Sequence, residues 1–329
     1  MLIGINGFGR VGRQVFKIAL ERGHKIAGIN DLFDAATLAH LLKYDSVYGK
    51  YDRKVEAGDG FLSVDGVKYP VTAHKDPKEI PWGDWKADIV VEASGVFRSK
   101  EKAGAHLRDT VKKVIITAPA KGEIDATFVM GCNDGDYDPA KHHIVSNASC
   151  TTNAFAHMVR VIKEKFGIKR GLMTTVHAYT NDQRILDAPH KDFRRARTAA
   201  VSIIPTSTGA AKAIALIYPE LKGKLDAVAL RVPTQDASLV DFAVEVEKST
   251  TANEVNEAFR AYAKANPKYM GVAEDELVSI DIVGERRSVL IDPFLTQIVG
   301  ETLVKVFGWY DNEWGYSERV VDLAELILK

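Results

Sequence analysis

Short apolar runs alternate with helical spacing through the first part of the chain. Leu2–Asn6, Ile26–Asn30, Ile89–Ala93 and Val114–Thr117 read as strands. Between the first two, Val11, Val15, Ile18 and Ala19 recur as one face of an amphipathic crossover helix, so this part predicts βαβ units and a mostly parallel sheet. Phe61–Val71 alternates apolar and polar residues around Asp65-Gly66, a hairpin signal that predicts an antiparallel insertion. Phe128–Gly131 reads as a further short strand. Beyond Ser149 the rhythm changes to a helix over Thr151–Phe166, a strand over Gly171–Tyr179, and a stretch without clean period to about Ile204. Longer strands are then predicted at Asp226–Val232, Ser238–Val246 and Leu303–Trp309, with a helix near Thr251–Ala265, which is an α+β pattern with an antiparallel sheet. A terminal helix is predicted over Tyr316–Leu328, able to return to either part.

Composition narrows the class. The chain has 329 residues, enough for two domains, and 46% apolar content supplies a core for each. Lys plus Arg equals Asp plus Glu at 44 each, so no bulk field favours nucleic acid or an anionic membrane, and any anion site has to be local. The apolar runs are too short to span a bilayer. The first residues run into a strand without the features of a signal peptide, so a cytoplasmic location is expected. Two cysteines, Cys132 and Cys150, do not make a disulfide framework, and a reducing compartment suits a working thiol. Cys132 reads as a small core residue. No metal site is expected.

Gly7-Phe8-Gly9-Arg10-Val11-Gly12 follows a predicted strand and opens a predicted helix. In that context the glycines allow a tight turn and close approach of a pyrophosphate to backbone N–H groups at the positive helix end. Asp31 ends the second strand, where a carboxylate accepts hydrogen bonds from an adenosine ribose and repels a 2′-phosphate, which favours NAD over NADP.

Ser149-Cys150-Thr151-Thr152-Asn153 stands at the start of a predicted helix, whose dipole favours a thiolate. His177, at a strand end, is the candidate base. Spacing alone is equally compatible with an inert thiol and an ordinary strand-end histidine. From Thr180 to Thr208 the chain collects Arg184, Arg194, Arg195 and Arg197 and then opens a helix at Gly209, a natural setting for phosphate. The run Arg194 to Arg197 taken by itself is more often solvated surface. Arg231 follows the apolar Val228-Ala229-Leu230, where a bound phosphate would satisfy a guanidinium that is otherwise costly to bury.

With Ile5-Asn6-Gly7-Phe8-Gly9-Arg10, Ser146 to Asn153, Pro205 to Lys212 and Trp309-Tyr310-Asp311-Asn312-Glu313 in this order, the chain resembles the glyceraldehyde-3-phosphate dehydrogenase family over essentially its whole length. The resemblance implies a Rossmann-type dinucleotide-binding domain over residues 1–148, with the helix at about 315–329 expected to return to it, and an α+β catalytic domain over 149–314 with a mostly antiparallel sheet. It implies attack of Cys150 on the aldehyde of glyceraldehyde 3-phosphate, with His177 as acid and base. Oxidation by NAD and cleavage of a thioester by inorganic phosphate then give 1,3-bisphosphoglycerate, a step of glycolysis. Thr180 and Arg231 would hold the substrate phosphate. Ser149, Thr151, Thr208 and Gly209 would serve the attacking phosphate, with Arg195, Arg197 or both assisting. Gly7 and Gly9 would shape the cofactor turn, Arg10 and Val11 would contact the pyrophosphate by backbone, Asp31 the ribose, Lys75 and Thr117 the adenine side, and Asn312 the nicotinamide amide. Leu32 and Pro189 match the family's NAD-preferring pattern, and the stretch after Tyr179 implies a homotetramer. Ala154 and the basic Gly284-Glu285-Arg286-Arg287-Ser288 depart from the usual pattern without touching the chemistry. The related alternative is an erythrose-4-phosphate dehydrogenase, whose thioester is resolved by water. A secondary nucleic-acid or protein-binding role gains nothing from the balanced charge.

Overall fold

The computed structural model describes residues 2–328. Chain contacts divide it into two compact units, one of Met1–Phe128, Asp134–Ala148 and Ser317–Lys329, the other of Val129–Asn133 and Ser149–Tyr316. Among the described residues no helix is long and apolar enough to cross a membrane.

The first unit is built on a nine-stranded sheet among the described residues. Its parallel part runs, in spatial order, through Ala126–Thr127, Ile144–Ser146, Lys113–Ile116, Ile89–Glu92, Leu2–Asn6, Lys25–Asn30 and Val67–Thr72. The hairpin Phe61–Val64 and Val67–Thr72 then continues antiparallel to Val55–Gly58. Its turn residues Asp65 and Gly66 both have positive φ, which suits a tight hairpin whose twist matches its strands. Leu2–Asn6 has the second strand on one side and Ile89–Glu92 on the other, so the order reverses there, and a crevice opens beyond its carboxyl end. The helix Arg10–Glu21 buries Val15, Phe16, Ile18 and Ala19, and Phe16 meets Phe8 and Tyr69 edge to face. From Ser317 on, the terminal helix buries Val320, Val321, Leu323, Ala324 and Ile327 in this unit. Arg22 fastens it through Glu318, Asp322 (2.7 Å) and Glu325 (3.2 Å).

The second unit carries a seven-stranded sheet in the order Ile204–Ser207, Leu225–Val232, Arg170–Ala178, Ser238–Glu245, Leu303–Tyr310, Val289–Val299, Met270–Val272. Most pairs are antiparallel; Arg170–Ala178 with Leu225–Val232, and Met270–Val272 with Val289–Val299, are parallel. Ser238–Glu245 alternates buried and half-buried residues, as a sheet covered on one face requires. The helix Cys150–Phe166 packs on the buried face, with Phe155 against Phe242 and Met158 so close to Gly308 that any side chain there would collide.

Two readings of the chain are corrected. Phe128–Gly131 is not a strand: pairing stops at Thr127, and the chain turns at Gly131 with φ 82°. Cys132 therefore lies in a turn, half-buried, with its sulfur 3.6 Å from His157 Nδ1, rather than packed as a core residue. The eleven-residue strand Val289–Val299 is absent from the sequence reading because Pro293 interrupts it and its outer half is largely exposed; its register shifts between Asp292 and Gln297.

Candidate active site

The nucleotide motif is built by glycines with separable tasks. Gly7 has φ 93°, and a side chain on it would run into the Ser94 backbone. Gly12 lies so close to the Gly7 carbonyl that even a methyl group would overlap it. Above Gly9 nothing lies within 4 Å. Gly9 also N-caps the helix Arg10–Glu21 without a side-chain cap, so the helix start keeps N–H groups for an anion. A dinucleotide pyrophosphate fits this cradle. Asp31 accepts from Phe8 N at 2.6 Å and from Phe33 N at 3.2 Å, which ties the second strand end to the motif turn; its remaining lone pairs are available to ribose hydroxyls. The Arg10 side chain is held by Asp45 at 2.8 Å. Thr117 donates to the Glu92 carbonyl at 3.1 Å, and Lys75 is exposed.

Beneath this turn lies a polar chain that sequence reading missed. Asn30 donates to Asn6 (2.8 Å), Asn6 donates to Glu92 (2.5 Å), and His106 Nε2 lies 3.0 Å from the same carboxylate. Trp82 Nε1 only donates, and it meets His106 Nδ1 at 3.1 Å. His106 therefore carries its proton on Nε2 and gives it to Glu92. Three strand ends are locked together by side chains that look unremarkable in sequence.

The candidate reactive residues Cys150 and His177 both belong to the second unit. Ser149 caps the helix Cys150–Phe166 by accepting from Thr152 N at 3.1 Å, and Ala148 before it sits at φ 56°, a conformation costly for a residue with a Cβ. The turn sets Cys150 as the first helical residue, with its Sγ 3.4 Å from His177 Nε2. His177 Nδ1 lies 2.7 Å from the Ala178 carbonyl, and Nε2 is the ring nitrogen that faces the sulfur. Arg231 is the register partner of His177 across the parallel strand pair. Its Nη1 donates to the same carbonyl at 3.0 Å and stands 2.8 Å from Nδ1.

These surroundings set the charge state. Burial, against the pull of Arg231 and the Thr151 N–H, pushes the Cys150 thiol up to about 11. Burial and then Arg231 press His177 down to about 3. Both shifts favour the uncharged forms, burial opposing the pull of the helix start on the thiol.

The structure separates the arginines. Arg195 is held by Thr206 (2.9 Å) and by Asp182, with only 18% of its side chain exposed, and its charge bears on both His177 and Arg231. Arg197 is 68% exposed and paired to Asp187 at 2.8 Å, on the surface. Thr180 N donates to Gln183 Oε1 at 3.3 Å, and Tyr179 N to the Thr234 carbonyl at 3.1 Å, so the segment leaving His177 is fixed by its neighbours. Arg231 Nε is buried with no protein partner, the condition a bound phosphate would relieve. Thr208 accepts from Ala210 N at 3.2 Å, and Gly209 starts the helix Ala210–Ile217 with open space above it. Thr151 is bound through its hydroxyl to Tyr310 Oη (2.8 Å), which also meets Thr175 at 2.8 Å. Asn312 accepts from Ser238 at 2.7 Å. The basic loop after Gly284 is largely self-neutralised, since Arg287 holds Glu285 at 2.6 and 2.8 Å.

Comparison with known proteins places the chain in one family. Residues 1–100 match the family model "Glyceraldehyde 3-phosphate dehydrogenase, NAD binding domain", and residues 149–312 match "Glyceraldehyde 3-phosphate dehydrogenase, C-terminal domain". The chain is 56% identical to glyceraldehyde-3-phosphate dehydrogenase 1 of Bacillus cereus, over 98% of this chain and 97% of that one. It is 55% identical to glyceraldehyde-3-phosphate dehydrogenase of Geobacillus stearothermophilus, over 99% and 97%. With glyceraldehyde-3-phosphate dehydrogenase 1 of Bacillus subtilis it shares 53% identity over 99% and 98%.

Proposed function

Since the chain belongs to the glyceraldehyde-3-phosphate dehydrogenase family, we propose that it oxidises D-glyceraldehyde 3-phosphate to 1,3-bisphosphoglycerate with NAD and inorganic phosphate, as a cytoplasmic homotetramer of glycolysis. The observation that carries this reading is the Cys150 sulfur at a helix start, 3.4 Å from Nε2 of a histidine whose other ring nitrogen is fixed against the Ala178 carbonyl and Arg231.

Cys150 gives its proton to His177 Nε2 as the sulfur bonds to the aldehyde carbon, and the carbonyl oxygen then takes that proton back, leaving a thiohemiacetal. NAD, when bound, would supply the hydride acceptor; Gly7, Gly9, Arg10, Val11 and Asp31 would hold it, with Lys75 and Thr117 assigned to the adenine side and Asn312 to the nicotinamide amide. As the carbon gives up its hydride, Nε2 removes the hydroxyl proton and a thioester remains on Cys150. A phosphate oxygen adds to that carbon, the C–S bond breaks, and the sulfur recovers its proton from His177. Thr180 and Arg231 hold the substrate phosphate, and Ser149, Thr151, Thr208, Gly209 and Arg195 serve the attacking one. Arg197 is assigned to the surface because Asp187 already holds it. The exposed Ile185, Leu186, Phe193, Val201 and Ile203 support assembly through the stretch after Tyr179.

The test is NADH formation from glyceraldehyde 3-phosphate and NAD, with and without inorganic phosphate. Sustained turnover should require phosphate; turnover indifferent to phosphate, or faster with erythrose 4-phosphate, would overturn the assignment.

A further inference from the structure

We infer that Ser238 is a positioning residue that fixes which end of the Asn312 side chain is presented to the nicotinamide amide, an inference that rests on the reading of Asn312 given above. Ser238 opens the strand Ser238–Glu245, is 1% exposed, and is in register with Tyr310. Its Oγ accepts from the Ala178 N–H at 3.1 Å. A hydroxyl has one proton, and among the described residues the only other polar partner of this one is Asn312, 2.7 Å away. The proton must go there, so the Asn312 atom facing Ser238 is the oxygen and the amide nitrogen points the opposite way as a donor. That nitrogen has no hydrogen bond to a described residue and is not sealed from solvent. A nicotinamide carboxamide, which has an acceptor end and a donor end, is then read in one orientation, oxygen toward Asn312.

The relay begins at the residue whose carbonyl also faces the base. The Ala178 carbonyl lies 2.7 Å from His177 Nδ1 and accepts from Arg231 Nη1 at 3.0 Å, while the Ala178 N–H starts the chain to Ser238 and Asn312. Side chains that are distant in sequence, at 177, 231, 238 and 312, are aligned around one residue's backbone. Without the Ser238 hydroxyl, the Asn312 amide is free to turn over and the buried Ala178 N–H loses its acceptor.

The experiment compares Ser238→Thr with Ser238→Val, matched in volume and differing in the hydroxyl, by calorimetric titration with NAD and with ADP-ribose, which lacks the nicotinamide. The Val variant should bind NAD about fivefold more weakly than the Thr variant, the scale of one neutral hydrogen bond. ADP-ribose affinity should be equal in the two. In an Asn312→Ala background the Thr-to-Val difference in NAD affinity should vanish. Equal NAD affinity in the Thr and Val variants, with Asn312→Ala weakened, overturns the role of Ser238 and leaves Asn312 in place. Wild-type NAD affinity in Asn312→Ala overturns the reading of Asn312 and this inference with it. Equal weakening toward NAD and ADP-ribose on losing the hydroxyl shows general loosening and also overturns it.

Discussion

Gly9→Ala is predicted to separate cofactor binding from folding. Gly9 has φ −72° and ψ −156°, extended backbone outside the left-handed region that favours glycine, and nothing lies within 4 Å of the position a Cβ would take. Its cost to the fold is that of alanine at an N-cap, about 1 kcal/mol or less. The open space it fills is where a pyrophosphate would approach the helix start, so the methyl group should push the phosphates off the N–H groups. Losing one or two charge-assisted hydrogen bonds of about 1.5–3 kcal/mol each corresponds to at least a tenfold loss of NAD affinity. Gly12→Ala should behave in the opposite way, because its methyl overlaps the Gly7 carbonyl inside the helix–strand packing, an overpacking cost of about 1–3 kcal/mol. Thermal unfolding of the two variants alongside NAD titration reads both effects. NAD bound at wild-type affinity by Gly9→Ala would refute the placement of the pyrophosphate.

Cys150→Ser should lower turnover by about 10⁴-fold or more, since the hydroxyl is a far weaker nucleophile beside this base, while NAD titration and melting stay near wild type; substantial residual turnover refutes the covalent route. Tyr310→Phe removes the buried hydroxyl shared by Thr151 and Thr175, so it should cost about 1–3 kcal/mol in unfolding and raise KM for inorganic phosphate more than KM for the aldehyde; unchanged melting and phosphate saturation would sink this account. Arg22→Met leaves the buried Glu318 and Asp322 without that guanidinium and should destabilise the protein by about 3 kcal/mol near neutral pH. Glu325 is held below its ordinary value by His24 and Arg22 against the opposing effect of burial. Its part of this stability is therefore present above the ordinary carboxylate range and lost as pH falls through the lowered value, so the variant's deficit should shrink on acidification; a deficit that grows instead would contradict the sign.

What the sequence made legible was whatever is decided locally. The strands around Leu2–Asn6, the helix behind Gly9 and the Asp65-Gly66 turn each follow from a few neighbouring residues, and the structure has them within a residue or two. Local signals failed where tertiary context supplied the decision. Val289–Val299 forms despite Pro293 because flanking strands pair with its inner half and the bulge absorbs the irregularity. Phe128–Met130 is apolar because it is buried, not because it is extended in a sheet.

The site shows the same division more sharply. The placement of Cys150 at a helix start was legible because its cap and helix are contiguous with it. Arg195 and Arg197 were indistinguishable because they lie two residues apart on irregular backbone, where no period says which points inward; Thr206 and Asp182 decide it, and neither partner is adjacent. Register carries the rest. His177 meets Arg231 because residue 171 pairs with 225 and the strands then run parallel, and Ser238 meets Tyr310 because 245 pairs with 303 in the antiparallel sense. A slip of one residue would turn Arg231 to the other face and take Tyr310 away from Thr151. The chemistry of this centre thus depends on strand pairing that no short motif encodes, which is why Ser238 and Tyr310 read in isolation as ordinary buried positions of a sheet.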